Sequence, residues 1–129
     1  MTHTLMAFYL LISACSLLQT KDSNANADSI NSGKILIVYL SRTNNTKAIA
    51  EIIQKNVGGT LVALELEKLY PENYKATVQQ VVDENASGYL PPLKTKIDSI
   101  EKYDIVFVGF PTWDMQMPPP MKSFYINII

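Results

Sequence analysis

Residues Ile35–Lys47 read Ile-Leu-Ile-Val-Tyr-Leu-Ser-Arg-Thr-Asn-Asn-Thr-Lys, an apolar run that breaks abruptly into polar residues. Ile35–Leu40 has no inside-outside alternation and is rich in β-branched side chains. That is the pattern of a strand covered on both faces, as in the middle of a parallel sheet. After the polar residues Ser41–Thr46, the residues Ala48, Ile49, Ile52 and Ile53 fall at helical spacing until Gly58-Gly59 ends the run. The local order is strand, polar loop, helix.

The same alternation continues towards the carboxyl terminus. Thr60–Leu66 alternates as a more exposed strand, and Lys68–Tyr74, with Pro71, reads as a loop. Tyr74–Ala86 places Val78, Val81 and Val82 on a second helix, with Gly88 and Pro91-Pro92 beyond it. Ile97, Ile100 and Tyr103 suggest a short helical turn leading into Asp104–Phe110, another fully apolar strand, and Pro118–Pro120 open a further helix. Parallel strands joined by crossover helices make a doubly wound α/β unit with strand order 2-1-3. Ligands of such sheets bind at the carboxyl ends of the strands where the winding reverses, here between Leu40 and Phe110.

Towards the amino terminus, Leu5–Leu18 is an apolar run shorter than the roughly 20 residues of a spanning helix and suits a signal-peptide hydrophobic region. It closes on Ile12-Ser13-Ala14-Cys15, which resembles a bacterial lipobox, although Met1–Thr4 carries no Lys or Arg where a leader usually has them. A plain secretory leader or a packed amino-terminal element are the alternatives. Gln19–Gly33 has almost no large apolar residue and reads as a tether. The expected organisation is a leader over 1–18 with Cys15 as lipidation site, a tether over 19–33 and a folded unit over 34–129. The expected location is outside the cytoplasm, periplasmic or anchored through Cys15, with no other membrane contact.

Composition narrows the chemistry. The chain has 129 residues, 47% of them hydrophobic, so it has a core to bury and is not a disordered or collagen-like chain. Eleven Lys+Arg against twelve Asp+Glu, with no dense basic stretch, leave no electrostatic footprint for nucleic acid. One Cys and one His, the latter at His3, exclude a disulfide framework, a Cys/His zinc site and a histidine-based triad in the folded unit.

Two segments at the strand ends carry the candidate chemistry. Ser41–Thr46 offers hydroxyls, asparagine side chains and the first amides of a helix, a set that holds a phosphate without a lysine or simply caps the helix. It is neither a Walker loop nor a GxGxxG fingerprint. Phe110-Pro111-Thr112-Trp113-Asp114-Met115-Gln116 follows the later strand and contains the sole Trp. That ring either forms an apolar shelf beside the phosphate cradle, suited to a planar aromatic ligand with a phosphate tail, or folds back to cover the core.

Taken together and in order, these segments resemble the flavodoxins. Ser41-Arg42-Thr43-Asn44-Asn45-Thr46-Lys47 looks like their phosphate loop, usually Ser/Thr-x-Thr-Gly-Asn-Thr, and Phe110-Pro111-Thr112-Trp113 looks like their first flavin-contacting loop. The resemblance covers about residues 34–124. It implies FMN as cofactor, its phosphate held by Ser41, Thr43, Asn45 and Thr46 and its isoalloxazine lined by Pro111, Thr112, Trp113 and Asp114. Arg42 would point outward with its charge assisting the phosphate. Asn44 stands where the family usually has Gly, and Asn is the side chain that best tolerates the left-handed conformation such a loop needs.

The function implied is one-electron transfer to redox partner proteins, with an apolar Trp113 wall and the Asp114 charge disfavouring negative charge on the ring. A flavin-dependent NAD(P)H:quinone or FMN reductase is the alternative within the same fold, and a cofactor-free remnant or binding module is the non-redox one. The resemblance also implies five strands, of which three are legible before Ile129. The expectation is therefore an incomplete unit cut short at its carboxyl end, or a half-domain completed by another chain, with an unpaired apolar edge on the Asp104–Phe110 strand.

Overall fold

The computed structural model describes residues 33–128. The leader expected over Leu5–Leu18, with Cys15, and the tether up to residue 32 lie outside the described residues. The element order is β1 (Ile35–Tyr39), α1 (Asn45–Val57), β2 (Thr60–Ala63), α2 (Tyr74–Ser87), a 3-10 turn (Ile100–Lys102), β3 (Ile105–Gly109) and α3 (Pro119–Asn127). The three strands form one sheet in the order β2-β1-β3, both pairings parallel, as the pattern predicts.

Central β1 is buried along its whole length. Its Leu36 and Val38, with Leu40, enter a core closed by Val81 of α2 and by Met121 and Phe124 of α3. Ile35, Ile37 and Tyr39 face the other way, against Ala50 of α1. Helices therefore lie on both faces. The cause is chain direction: the crossover from β1 to β2 and the one back past β1 to β3 run in opposite senses, so the same right-handed rule places them on opposite sides.

One strand end and two helix faces differ from the sequence expectation. β2 stops at Ala63 instead of running to Leu66. Beyond it the Glu65 amide donates to Thr95 Oγ1 at 2.7 Å, that hydroxyl donates to the Ala63 carbonyl at 2.9 Å, and Leu66 bridges to Leu93. A segment thirty residues away thus takes over as the partner. On α1 the Ile49 and Ile52 stripe does not face the sheet: the two are 58% and 56% exposed, and the small Ala50 occupies the buried position. On α2 Val81 is buried as expected, but its companions are Thr77 and Glu84.

Glycines permit the tightest connection. At Gly59 (φ +96°) an added Cβ would lie 2.6 Å from the Ile35 carbonyl oxygen, whereas at Gly58 (φ +74°) it would meet nothing within 4 Å. The path from α1 into β2 therefore runs directly against β1.

The side chain of Trp113 is 5% exposed and belongs to the core, its ring edge-on to Tyr70 at 5.6 Å. The Tyr70 hydroxyl donates to Glu84 Oε2 at 2.5 Å, and Gln80 Nε2 donates to Glu84 Oε1 at 2.7 Å, so the buried carboxylate of α2 is satisfied on both oxygens. Burial first, then the Glu84 carboxylate, holds the Tyr70 phenol well above the ordinary tyrosine range.

Two stability measurements check this packing. Gly58→Ala costs about 1–3 kcal/mol because its backbone, φ 74° and ψ -158°, is one that essentially only glycine adopts, and Gly59→Ala costs clearly more than Gly58→Ala because the main chain of β1 must also shift. Urea midpoints read from Trp113 fluorescence give both values. For Tyr70, the folded state holds the phenolic proton more tightly than the unfolded chain, so its contribution is complete below about pH 10 and is lost as pH rises beyond that. The urea midpoint of the parent protein falls more steeply between about pH 9.5 and 11 than that of Tyr70→Phe.

Candidate functional site

The site is built where β1 and β3 end side by side. After Leu40, whose amide donates to the Gly109 carbonyl at 2.8 Å, the chain turns through Ser41–Asn44 into α1. Asn44 sits at the N-cap with φ 64° and ψ 0°, the left-handed conformation expected of the residue replacing glycine. Its side chain makes no capping hydrogen bond. The first-turn amides of α1 have no carbonyl four residues behind them, and the cap side chain leaves them without an acceptor of its own. Ser41 Oγ accepts only from the Lys47 amide, at 3.3 Å. This is the donor arrangement of an anion cradle, with the positive end of the helix dipole behind it.

β3 contributes by what it lacks. A Cβ at Gly109 would come within 3.1 Å of Thr46 Cγ2, so glycine at the end of β3 is what lets the first turn of α1 settle beside that strand. Beyond β3, Pro111 and Thr112 complete the opposite wall. The resulting depression, about 210 Å³, is lined by Ser41, Arg42, Thr43, Asn45 and Thr46 from the loop and first turn of α1. Pro111, Thr112 and Trp113 after β3, and Tyr74 at the start of α2, close it.

The sequence-derived residues therefore converge, with two exceptions. Asn44 lines a neighbouring groove instead, beside Lys47 and Glu65, and acts through its backbone. Asp114 is exposed and does not line the depression. Asp114 and Met115 have φ 53° and 54°, two left-handed residues in a row, and the Gln116 amide closes back on the Trp113 carbonyl at 3.1 Å. This primed-type turn sends Trp113 inward and Asp114 outward. Of the two sequence readings of Trp113, the core-covering one describes where its side chain sits, although the residue also lines the depression.

Arg42 does more than stand outside the loop. It donates to the Glu72 carbonyl, and its guanidinium lies 5.5 Å from the centre of the Tyr74 ring, a cation-π arrangement. The loop after β2 and the start of α2 are thereby tied to the Ser41–Asn44 loop. Sequence reasoning missed Tyr74 and Gly109. The first carries no local signal; the second does, as a glycine closing an apolar strand marks a close backbone approach. Among the described residues there is no cluster of His, Cys, Asp and Glu able to hold a metal ion, and no helix long and apolar enough to cross a membrane.

Comparison with known proteins agrees with this geometry. The flavodoxin family model matches residues 34–127. Among solved structures, a candidate flavoprotein from Bacteroides uniformis superposes with a TM-score of 0.66 at 27% identity, covering 74% of this chain and 64% of that one. One from Bacteroides eggerthii gives a TM-score of 0.64 at 30% identity, covering 71% and 60%. A Lactobacillus acidophilus flavoprotein solved in complex with FMN shares the fold, with a TM-score of 0.68 at 23% identity, covering 74% and 66%. The chain thus spans less than two thirds of the length of each. No curated protein matches it. With the family match running from the start of β1 to the end of α3, over the parallel sheet and both loops at its carboxyl edge, the chain belongs to the flavodoxin family.

Proposed function

We propose that this protein binds FMN and serves in electron transfer, with the phosphate seated at the head of α1. The observation that carries the reading is the pairing of the left-handed, side-chain-uncapped start of α1 with the Gly109 gap that brings Thr46 beside the end of β3. The residues fit a phosphate: hydroxyls of Ser41, Thr43 and Thr46, the Asn45 amide and the nearby Arg42 guanidinium provide donors and positive potential with no carboxylate lining the depression. At about 210 Å³ the depression holds the phosphate end of such a nucleotide and not the whole of it.

When bound, the flavin supplies the one-electron chemistry. The chain's own residues bind and orient. Pro111 and Thr112 stiffen the wall next to the cradle, and the Tyr70–Trp113 pair fixes that wall to the core. The Asp114 charge stands in solvent at the turn. Exchange is with redox partner proteins, and the apolar leader with Cys15 tethers the unit outside the cytoplasm.

Comparing FMN with riboflavin in flavin-fluorescence titrations tests the cradle. Charge-assisted hydrogen bonds to the phosphate make FMN bind at least about tenfold tighter than riboflavin. Equal affinities contradict the reading. Gly109→Val, which adds no charge and removes no donor, weakens FMN binding several-fold by pushing Thr46 away.

A further inference from the structure

A second cavity, about 400 Å³, lies on the other flank of the phosphate loop. Its apolar walls are Leu40, Leu66, Leu69, Tyr70 and the buried Trp113. Ser41, Arg42, Thr43 and Trp113 line both this cavity and the cradle, so they form the partition between them. The volume is in the range of small-molecule sites, and an apolar lining with a few converging polar groups is their usual character.

The polar groups are one-sided. Tyr70 gives the cavity its ring and no donor, because its hydroxyl proton is committed to Glu84 Oε2. Ser41 Oγ accepts from the Lys47 amide, which leaves its own proton free to be donated. Arg42 uses one nitrogen on the Glu72 carbonyl and keeps further N–H donors. The donors therefore come from one loop, opposite a wall of leucine and aromatic side chains. Glu72 at the rim works against an anionic ligand.

We infer that this cavity is a binding site for a neutral aromatic carbonyl compound of one or two rings. Its ring lies against Leu66, Leu69 and the Tyr70–Trp113 pair, and its carbonyl oxygen accepts from the Ser41–Thr43 loop. The site is distinct from the phosphate cradle and does not require a flavin to be bound.

Calorimetric titration of the full chain with 4-hydroxyacetophenone tests it. The expected result is saturable binding of one molecule. Leu69 is 79% exposed, so Leu69→Asp and Leu69→Ala keep the fold. The first weakens binding about tenfold or more, the second less. Thr46→Val, in the cradle alone, leaves the constant unchanged while lowering FMN affinity. The inference is overturned if binding does not saturate at millimolar concentrations, if Leu69→Asp leaves it unchanged, or if Thr46→Val weakens it as much as Leu69→Asp does.

Discussion

Removing every side chain of β1 from water is the constraint from which the architecture follows. Such a strand needs a hydrogen-bonding neighbour at each edge and a helix over each face, which β2, β3, α1 and the α2/α3 pair provide. Placing neighbours on both sides of the first strand forces the winding to reverse. The reversal leaves a crevice at the carboxyl ends of β1 and β3, and both candidate loops open there. β3 in turn becomes an edge among the described residues, with Ile105 and Val106 each 36% exposed.

The parts of the fold legible in the sequence were those fixed by local chemistry. An unbroken apolar run can only be a doubly covered strand in this context. Gly58 and Gly88 stop helices by their own backbone preferences, whereas the N-cap Asn73, whose carboxamide accepts from the Ala76 amide at 3.1 Å, went unread. The left-handed turn at Asn44 was legible only through the family resemblance, which puts a glycine there, and asparagine is the side chain that best keeps that conformation. What periodicity could not supply was the identity of the neighbour. The Ile49 and Ile52 stripe marks a helix but not which face meets the sheet, and the end of β2 depends on Thr95, far away in sequence.

The candidate site shows the same division. Residues of one loop could be singled out, and line one depression, because capping and anion-binding chemistry use one set of side chains at one spacing. Arg42 was found as a charge but not as a strap, since its partners Glu72 and Tyr74 belong to another loop. Trp113 exposes the weakness of composition as a guide. A lone tryptophan in a loop reads as a ligand shelf or as a core lid, and what decides is the left-handed turn at Asp114 and Met115, which no residue preference there announces.

The proposed phosphate recognition at the head of α1 would join the fold to the function, and amide chemical shifts of the full chain on addition of FMN probe it at single residues. The largest saturable changes are expected at the Asn45 and Thr46 amides, with Thr112 following from the facing wall. Unmoved Asn45 and Thr46 amides, with saturable changes clustered elsewhere, would contradict it.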